Sequence, residues 1–225
     1  MKRLNIVVEG QAEETYINEV LSLHLAQFDV GAVARRVEFS RRKQRIVSRG
    51  GLFDYPKLKR DVTNWLKQDR EALVTTMVDL YHLPSDFPKR GEAKKITNPF
   101  QKVALLESAF AEDVDSRRFI PNIQLHEFEA LLFVDIARLR AYYPDYSREI
   151  ANLKAETARY ANPEEINEGT ATAPSKRILK YVPIYDKVIG GSLMAIDLGL
   201  QAIRSRCQHF HQWLMRLEAL APPTP

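Results

Sequence analysis

The sequence predicts an α/β fold: a largely parallel β-sheet flanked by helices, with a C-terminal helical extension. Three observations predict this class. Short runs rich in Val and Ile alternate with segments of helical periodicity over residues 3–125, as in strand–helix–strand units. Two of those runs end directly at a carboxylate and a turn. From Ile136 onward, helical periodicity dominates.

The strands and helices of the first half follow from apolar patterning and end signals. Strands are predicted at 4–8, 32–39, 73–78 and 119–125, and helices at 11–28, 55–70 and 99–114. Asp54 is a suitable N-cap for the second helix, and Pro56 is tolerated in its first turn. Residues 82–98 are polar and form a predicted loop. Pro121 interrupts the last strand, which favours an edge position.

The second half is predicted to be helical, with helices at about 147–160, from Pro174 and at about 203–220. This pattern divides the chain into an α/β core over residues 1–140 and a helical extension over 141–221 that packs on it. Residues 222–225, which include three prolines, form a predicted disordered tail.

Composition excludes several classes of protein. The chain has 225 residues, a formal net charge of +4 and one cysteine, Cys207. A single cysteine excludes an internal disulfide and the usual cysteine zinc sites. No apolar run approaches the length of a membrane span, and the first apolar run breaks at Glu9, too early for a signal peptide. We therefore expect a cytoplasmic protein.

Carboxylates follow three predicted strands. Glu9 and Asp79 end two of them, and Glu127 and Glu129 follow a third. If residues 126–133 are extended, Glu127 and Glu129 share a face; if they are helical, His126 and Glu129 do. The carboxyl ends of parallel strands meet at one edge, where several carboxylates require a compensating cation. Oxygen ligands favour Mg²⁺ or Mn²⁺. Glu9 could otherwise simply favour the start of a helix.

Basic residues indicate a second property. The predicted nucleic-acid-binding residues are Arg41, Arg42, Lys43, Arg45, Arg49, Lys176 and Arg177. The first five form a dense cluster that could follow a phosphate backbone; the alternative is a solvated face with ion pairs to acidic neighbours. The last two, with Ser175, begin a predicted helix that could bind an anion at its N-terminus. An ordinary helix start is the alternative.

Three motifs carry a resemblance. Val-Val-Glu9-Gly10-Gln-Ala-Glu-Glu followed by a strand ending at Asp79 resembles the TOPRIM fold, a Rossmann-like arrangement found in topoisomerases, primases and OLD-family nucleases. With His126-Glu-Phe-Glu-Ala-Leu-Leu-Phe and Thr172-Ala-Pro-Ser-Lys-Arg, the whole chain resembles a TOPRIM-like family of bacterial proteins of unknown function.

The resemblance implies roles for individual residues. Glu9 matches the TOPRIM glutamate, an acid/base group or metal ligand, and Asp79 matches the first aspartate of an Asp-x-Asp pair. Tyr81 stands where the second aspartate is expected, so Glu127 or Glu129 would complete the site. We therefore predict Glu9, Asp79 and Glu127 as catalytic, and all four carboxylates as ligands of Mg²⁺ or Mn²⁺. Predicted accessory residues are Glu13, Tyr81, His82, His126 and Ser175.

The leading functional prediction is a metal-dependent nuclease that cleaves DNA or RNA phosphodiesters. Relatives with this fold often act in phage defence beside an ABC- or AAA-type ATPase, so the resemblance implies such a partner. The alternative is a non-catalytic subunit that binds nucleic acid or a partner. A primase or topoisomerase is disfavoured because zinc-finger cysteines and a further domain are not identified, and a phosphatase is a minor option.

Overall fold

The computed structural model describes residues 1–37, 54–166, 169 and 171–220. The predicted basic cluster, Arg41, Arg42, Lys43, Arg45 and Arg49, lies outside the described residues, as does the predicted tail over 222–225.

A parallel sheet forms the centre of the fold, as predicted. Within the described residues its strands are β1 (Lys2–Val8), β2 (Val30–Arg36), β3 (Leu73–Asp79), β4 (Phe119–Ile120) and β5 (Ile123–Gln124). The strand order is β2-β1-β3-β4, and β5 also pairs with β3. Every pairing is parallel, and Val8 lies opposite Met77. The residue after β1 and the last residue of β3 therefore reach the same edge of the sheet.

Helices cover both faces of the sheet. The first, α1, is α-helical over Gln11–Tyr16, π-helical over Ile17–Leu21 and α-helical again over Ser22–Ala26. The others are α2 (Tyr55–Gln68), α3 (Arg90–Ala93), α4 (Pro99–Val114), α5 (Ser147–Thr157), α6 (Pro174–Tyr181), α7 (Ser192–Leu198), α8 (Leu200–Arg206) and α9 (Gln208–Glu218). Short 3₁₀ helices cover Phe128–Val134, Ile136–Ala141, Pro144–Tyr146 and Pro163–Glu165, and a π-helical turn over Lys187–Gly191 precedes α7.

Two hydrophobic clusters form the core, one on each face of the sheet, because neighbouring strand residues point to opposite sides. Ile6 of β1 packs in the cluster that contains Tyr16 of α1 and Phe210 of α9. Val7 packs in the other cluster, which contains Phe110 of α4. The first cluster includes residues on both sides of position 140, so the C-terminal helices share a core with β1 and α1. The division into two domains stays a prediction.

Two predicted elements are interrupted. The strand expected over 119–125 is two short strands separated by Pro121 and Asn122, because proline cannot donate to a ladder. The helix expected over 203–220 breaks at Cys207, whose backbone is extended (φ −105°, ψ 97°). The loop expected over 82–98 contains the short helix α3, and the helix expected over 147–160 ends at Thr157. Among the described residues, no helix has the length and apolar content needed to cross a membrane.

Candidate active site

A cleft of about 720 Å³ opens at the carboxyl edge of β1 and β3. Glu9, Glu13, Asp79 and Glu127 line it, so carboxylates from three segments distant in the sequence meet there. Lys187, from the π-helical turn before α7, reaches the same cleft. Ligands of open parallel sheets bind at this edge. The cleft is therefore the candidate active site.

Glu9 and Asp79 are joined directly. The backbone N–H of Asp79 donates to Glu9 Oε1 at 2.9 Å, because β1 and β3 are adjacent and in register at this edge. Gly10 then turns the chain into α1. A Cβ at this position would lie 3.0 Å from Glu13 Oε2, so a side chain here would push the Glu13 carboxylate aside.

Asp79 is fixed from two further sides. Its Oδ1 accepts from the backbone N–H of Phe128 at 3.0 Å. Its Oδ2 lies 3.7 Å from Nδ1 of His82 and 3.6 Å from Nζ of Lys187. The side chain is buried, so these contacts hold one carboxylate orientation.

Glu127 is held by the start of α6. The backbone N–H of Ser175 donates to Glu127 Oε2 at 2.9 Å, and the Ser175 hydroxyl donates to Oε1 at 3.0 Å. Glu127 itself is extended (φ −148°, ψ 161°), and the 3₁₀ helix begins after it. A helix start does bind an anion here, as its N–H groups favour, but this anion is a carboxylate of the same chain.

Glu129 lies beneath the cleft and is completely buried. Lys187 Nζ lies 3.1 Å from Glu129 Oε2, so one ammonium group contacts both Glu129 and Asp79. The lysine side chain is 38% exposed, which leaves part of it open to the cleft.

Burial and mutual repulsion change the proton affinities of these groups. Burial raises the pKa of Glu9 well above its usual value, and the charge of Asp79 raises it further. The same two causes raise the pKa of Glu13. Burial raises the pKa of Glu129 to about 7, although Lys187 opposes this change. Burial lowers the pKa of Lys187, but Glu129 and Asp79 outweigh this effect and hold it well above its usual value.

The donor set fits a divalent cation. One ligand atom each from Glu9, Asp79 and His82 lies within 4.8 Å of the other two. Glu13 Oε2 is buried and has no hydrogen-bond partner among the described residues. A hard ion such as Mg²⁺ takes carboxylate oxygens, and a cation relieves the repulsion that raises these pKa values. Glu9 and Asp79 are the residues best placed to hold it.

Comparison with protein families assigns the sequence to a family. Residues 8–218 match the family described as "Domain of unknown function (DUF4276)". The chain belongs to this family. Every residue of the DUF4276 chain described above as lining the cleft lies within the matched range.

One solved structure resembles the DUF4276 chain. It is the C-terminal region of the Xanthomonas campestris pv. campestris OLD protein, which is 11% identical, with a TM-score of 0.48 over 98% of this chain and 96% of that one. A likeness at this level says nothing about shared activity. No curated protein matches the chain.

Of the predicted site residues that the structure describes in this DUF4276 chain, most lie at the cleft. Three of the four predicted metal ligands line it, together with Tyr81, His82, Ser175 and Lys176. The fourth ligand, Glu129, does not line the cleft but forms an ion pair with Lys187, which does. His126 is buried in the left-handed region (φ 64°), and its carbonyl accepts from the N–H of Tyr81 at 2.9 Å.

Arg177 does not face the cleft as its predicted role requires. Its guanidinium is buried, forms an ion pair with Glu156 and donates through Nε to the carbonyl of Thr172 at 2.8 Å. Lys176, the next residue toward the N-terminus, is exposed and lines the cleft.

Lys187 and Tyr185 are cleft residues that sequence analysis did not identify. The π-helical turn that positions Lys187 has no sequence signature of its own. The sequence nevertheless contains one indication, because the pair Asp186-Lys187 precedes an apolar run. In the structure Asp186 caps this turn by accepting from the N–H of Ile189 at 2.7 Å. Such a lysine beside an apolar run is a candidate for a buried ion pair.

Proposed function

We propose that this chain is a divalent-metal-dependent phosphodiesterase that cleaves nucleic acid. The observation that carries the proposal is the meeting of five carboxylates at one sheet edge: Glu9, Glu13, Asp79, Glu127 and Glu129. Lys187 forms ion pairs with Asp79 and Glu129, and when all five carboxyl groups are ionised this one lysine leaves an excess of negative charge. Burying such an excess is costly unless a further cation binds.

Glu9 and Asp79 would hold the metal ion, with Glu127 beside them. When bound, Mg²⁺ or Mn²⁺ lowers the pKa of water and stabilises negative charge on phosphate oxygens. Hydrolysis adds a water oxygen to phosphorus, breaks one P–O bond and requires a proton on the leaving oxygen. Glu13, which lines the same cleft, would transfer this proton, because burial raises the pKa of its carboxyl group.

Positive groups would bind the substrate phosphate. Lys176 and Lys187 line the cleft. The basic cluster over 41–49 would extend this contact along the backbone, with an affinity that falls as salt is added. An ABC- or AAA-type ATPase partner and a role in phage defence are part of the proposal, and both rest on the TOPRIM resemblance.

The test combines metal binding with cleavage. Mn²⁺ binding is measured by titration calorimetry on the full chain and on Glu9→Gln, Asp79→Asn and Glu19→Gln. Glu19 lies exposed on α1 and serves as the matched control. We expect binding by the unaltered chain and Glu19→Gln, and at least about a tenfold weaker binding by the two cleft variants. Cleavage of labelled DNA and RNA should follow the same order.

A second candidate is a non-catalytic binding subunit. Two observations favour it: Tyr81 stands where an aspartate is expected, and Lys187 already contacts Asp79 and Glu129. In that case Mn²⁺ does not bind, and Glu9→Gln binds nucleic acid as well as the unaltered chain does. Removal of the basic cluster alone would then abolish function.

A further inference from the structure

The cleft has an apolar wall as well as a charged one. Val37, Leu179 and Val188 line it together with the carboxylates. Leu179 is 36% exposed and Val188 is 39% exposed, although burial of such side chains is favourable. Exposed apolar groups that border a polar site are typical of a binding surface for a partly apolar ligand.

The same two segments supply both walls. Ser175 and Leu179 are four residues apart in α6, so they share one face of that helix. Ser175 holds Glu127, and Leu179 lies one turn further along. In the π-helical turn, Lys187 contacts the carboxylates and Val188 follows it directly. An apolar contact therefore lies within one helical turn of each charged one.

Tyr81 adds an aromatic surface. It lines the cleft two residues after Asp79 and is partly exposed. Its ring meets that of His82 edge-on, with the centroids 4.8 Å apart and an angle of 69° between the planes. In such an arrangement His82 covers at most one face of the tyrosine ring, and an uncovered aromatic face stacks on nucleobases of any sequence.

We infer that the cleft takes an unpaired nucleotide, with its phosphate toward Lys176 and Lys187 and its base against Tyr81, Leu179 and Val188. This inference rests on the proposed function and specifies its substrate class. A paired base is stacked inside its helix and cannot reach an apolar wall. The substrate is therefore single-stranded nucleic acid or a duplex that contains an unpaired base. The cleft volume of about 720 Å³ accommodates one nucleotide.

The experiment measures binding apart from cleavage. The full chain carrying Glu9→Gln is titrated with three fluorescent probes: a single-stranded oligonucleotide, the same strand in a perfect duplex, and that duplex with one bulged nucleotide. We expect the single strand and the bulged duplex to bind about tenfold more tightly than the perfect duplex, the usual size of a base-stacking contact.

Variants of the apolar wall test the cause of that preference. Combined with Glu9→Gln, both Tyr81→Ala and the double change Leu179→Ser with Val188→Ser should remove most of the preference, while Tyr81→Phe should keep it because the ring remains. Leu23→Ser is the matched control: Leu23 is 65% exposed on α1, and it is not among the residues that line the cleft.

Two outcomes would overturn the inference. The first is equal or tighter binding of the perfect duplex; the second is a preference that survives loss of the apolar wall. Either result leaves the proposed function standing if the unaltered chain binds Mn²⁺ and cleaves nucleic acid. If no probe binds and no metal binds, the proposed function fails together with the inference.

Discussion

At the scale of single residues, Lys187 decides how the buried charges of the cleft are balanced. Its ammonium group lies between Asp79 and Glu129, at 3.6 Å and 3.1 Å. Glu129 is completely buried, so its ionised form depends on this neighbour. The pair makes the stability of the protein sensitive to pH.

The sign of that sensitivity follows from the pKa of Glu129. Burial raises it from the usual 4.5 to about 7, so its contribution to stability is full below about pH 4.5 and is lost as the pH rises through 7. Without Lys187 the pKa rises further, because the attraction to the lysine charge is lost. The loss of stability then continues at higher pH.

We therefore predict that Lys187→Met destabilises the metal-free protein mainly in alkali. The free energy of unfolding should fall by about 2 kcal/mol near pH 8.5. This is less than the loss expected on breaking a fully buried ion pair, because the lysine is partly exposed. Near pH 5.5 it should fall by less than about half of that. Urea denaturation in EDTA at both pH values measures the difference.

Lys176→Met is the matched control for this change, since Lys176 is exposed at the same cleft. Its stability should stay within about 0.5 kcal/mol of the unaltered chain at both pH values. An equal effect of Lys187→Met at the two pH values would show that the lysine does not compensate Glu129.

Residue-level prediction from the sequence worked where a local rule applied. A carboxylate at the end of a buried strand would place Glu9 and Asp79 at one sheet edge if their strands were neighbours, and β1 and β3 are adjacent in the sheet. No local rule connects Lys187 to Asp79, because their contact depends on how the C-terminal helices pack. Arg177 shows the opposite case: its sequence neighbours indicate an anion site, but packing turns its guanidinium to Glu156.

At the scale of elements, α9 begins where the first N–H groups of the helix donate hydrogen bonds to a carboxylate that is distant in the sequence. Glu164, completely buried in the 3₁₀ turn Pro163–Glu165, accepts from the N–H of His209 at 2.7 Å and of Phe210 at 2.9 Å. These groups have no partner within the helix. A negative charge at this end also interacts favourably with the helix dipole.

This contact predicts a stability effect. Glu164→Ala leaves two buried N–H groups without an acceptor and should reduce the free energy of unfolding by about 2–3 kcal/mol. Glu164→Gln keeps one acceptor oxygen and should cost roughly half as much. Thermal denaturation measures both changes. The neighbouring Glu165 is exposed, so Glu165→Ala should change stability by less than about 0.5 kcal/mol.

If the two alanine variants proved equally stable, Glu164 would not determine where α9 begins. The contact also explains which elements the sequence could predict. Helix α4 matched its predicted bounds, because Asn98 caps it locally by accepting from the N–H of Gln101. The break between α8 and α9 was missed, because the carboxylate that accepts from the N–H of His209 lies 45 residues away in the chain.

At the scale of the whole molecule, the cleft belongs to neither half of the chain alone. The sheet edge supplies Glu9 and Asp79, and the helical part supplies Ser175 and Lys187. Both halves share one hydrophobic cluster, and Trp213 of α9 donates to the hydroxyl of Thr75 in β3 at 2.9 Å. The helical part therefore forms one wall of the site and is fixed to the sheet beneath it.

Metal binding should consequently stabilise the first turn of α6. If Glu127 helps to hold the ion, opening of the first turn of α6 would release Ser175 from Glu127 and weaken the site, so the ion opposes that opening. We predict that amides at the start of α6 exchange with deuterium about tenfold more slowly when free Mn²⁺ is ten times its dissociation constant. Amides of α4 that exchange by local opening should not change, because α4 packs on the other face of the sheet. Glu127→Gln should remove the effect on α6 and leave the exchange of α4 as it was. Equal slowing in both helices would show that the metal stabilises the whole fold and that Glu127 does not couple α6 to the ion.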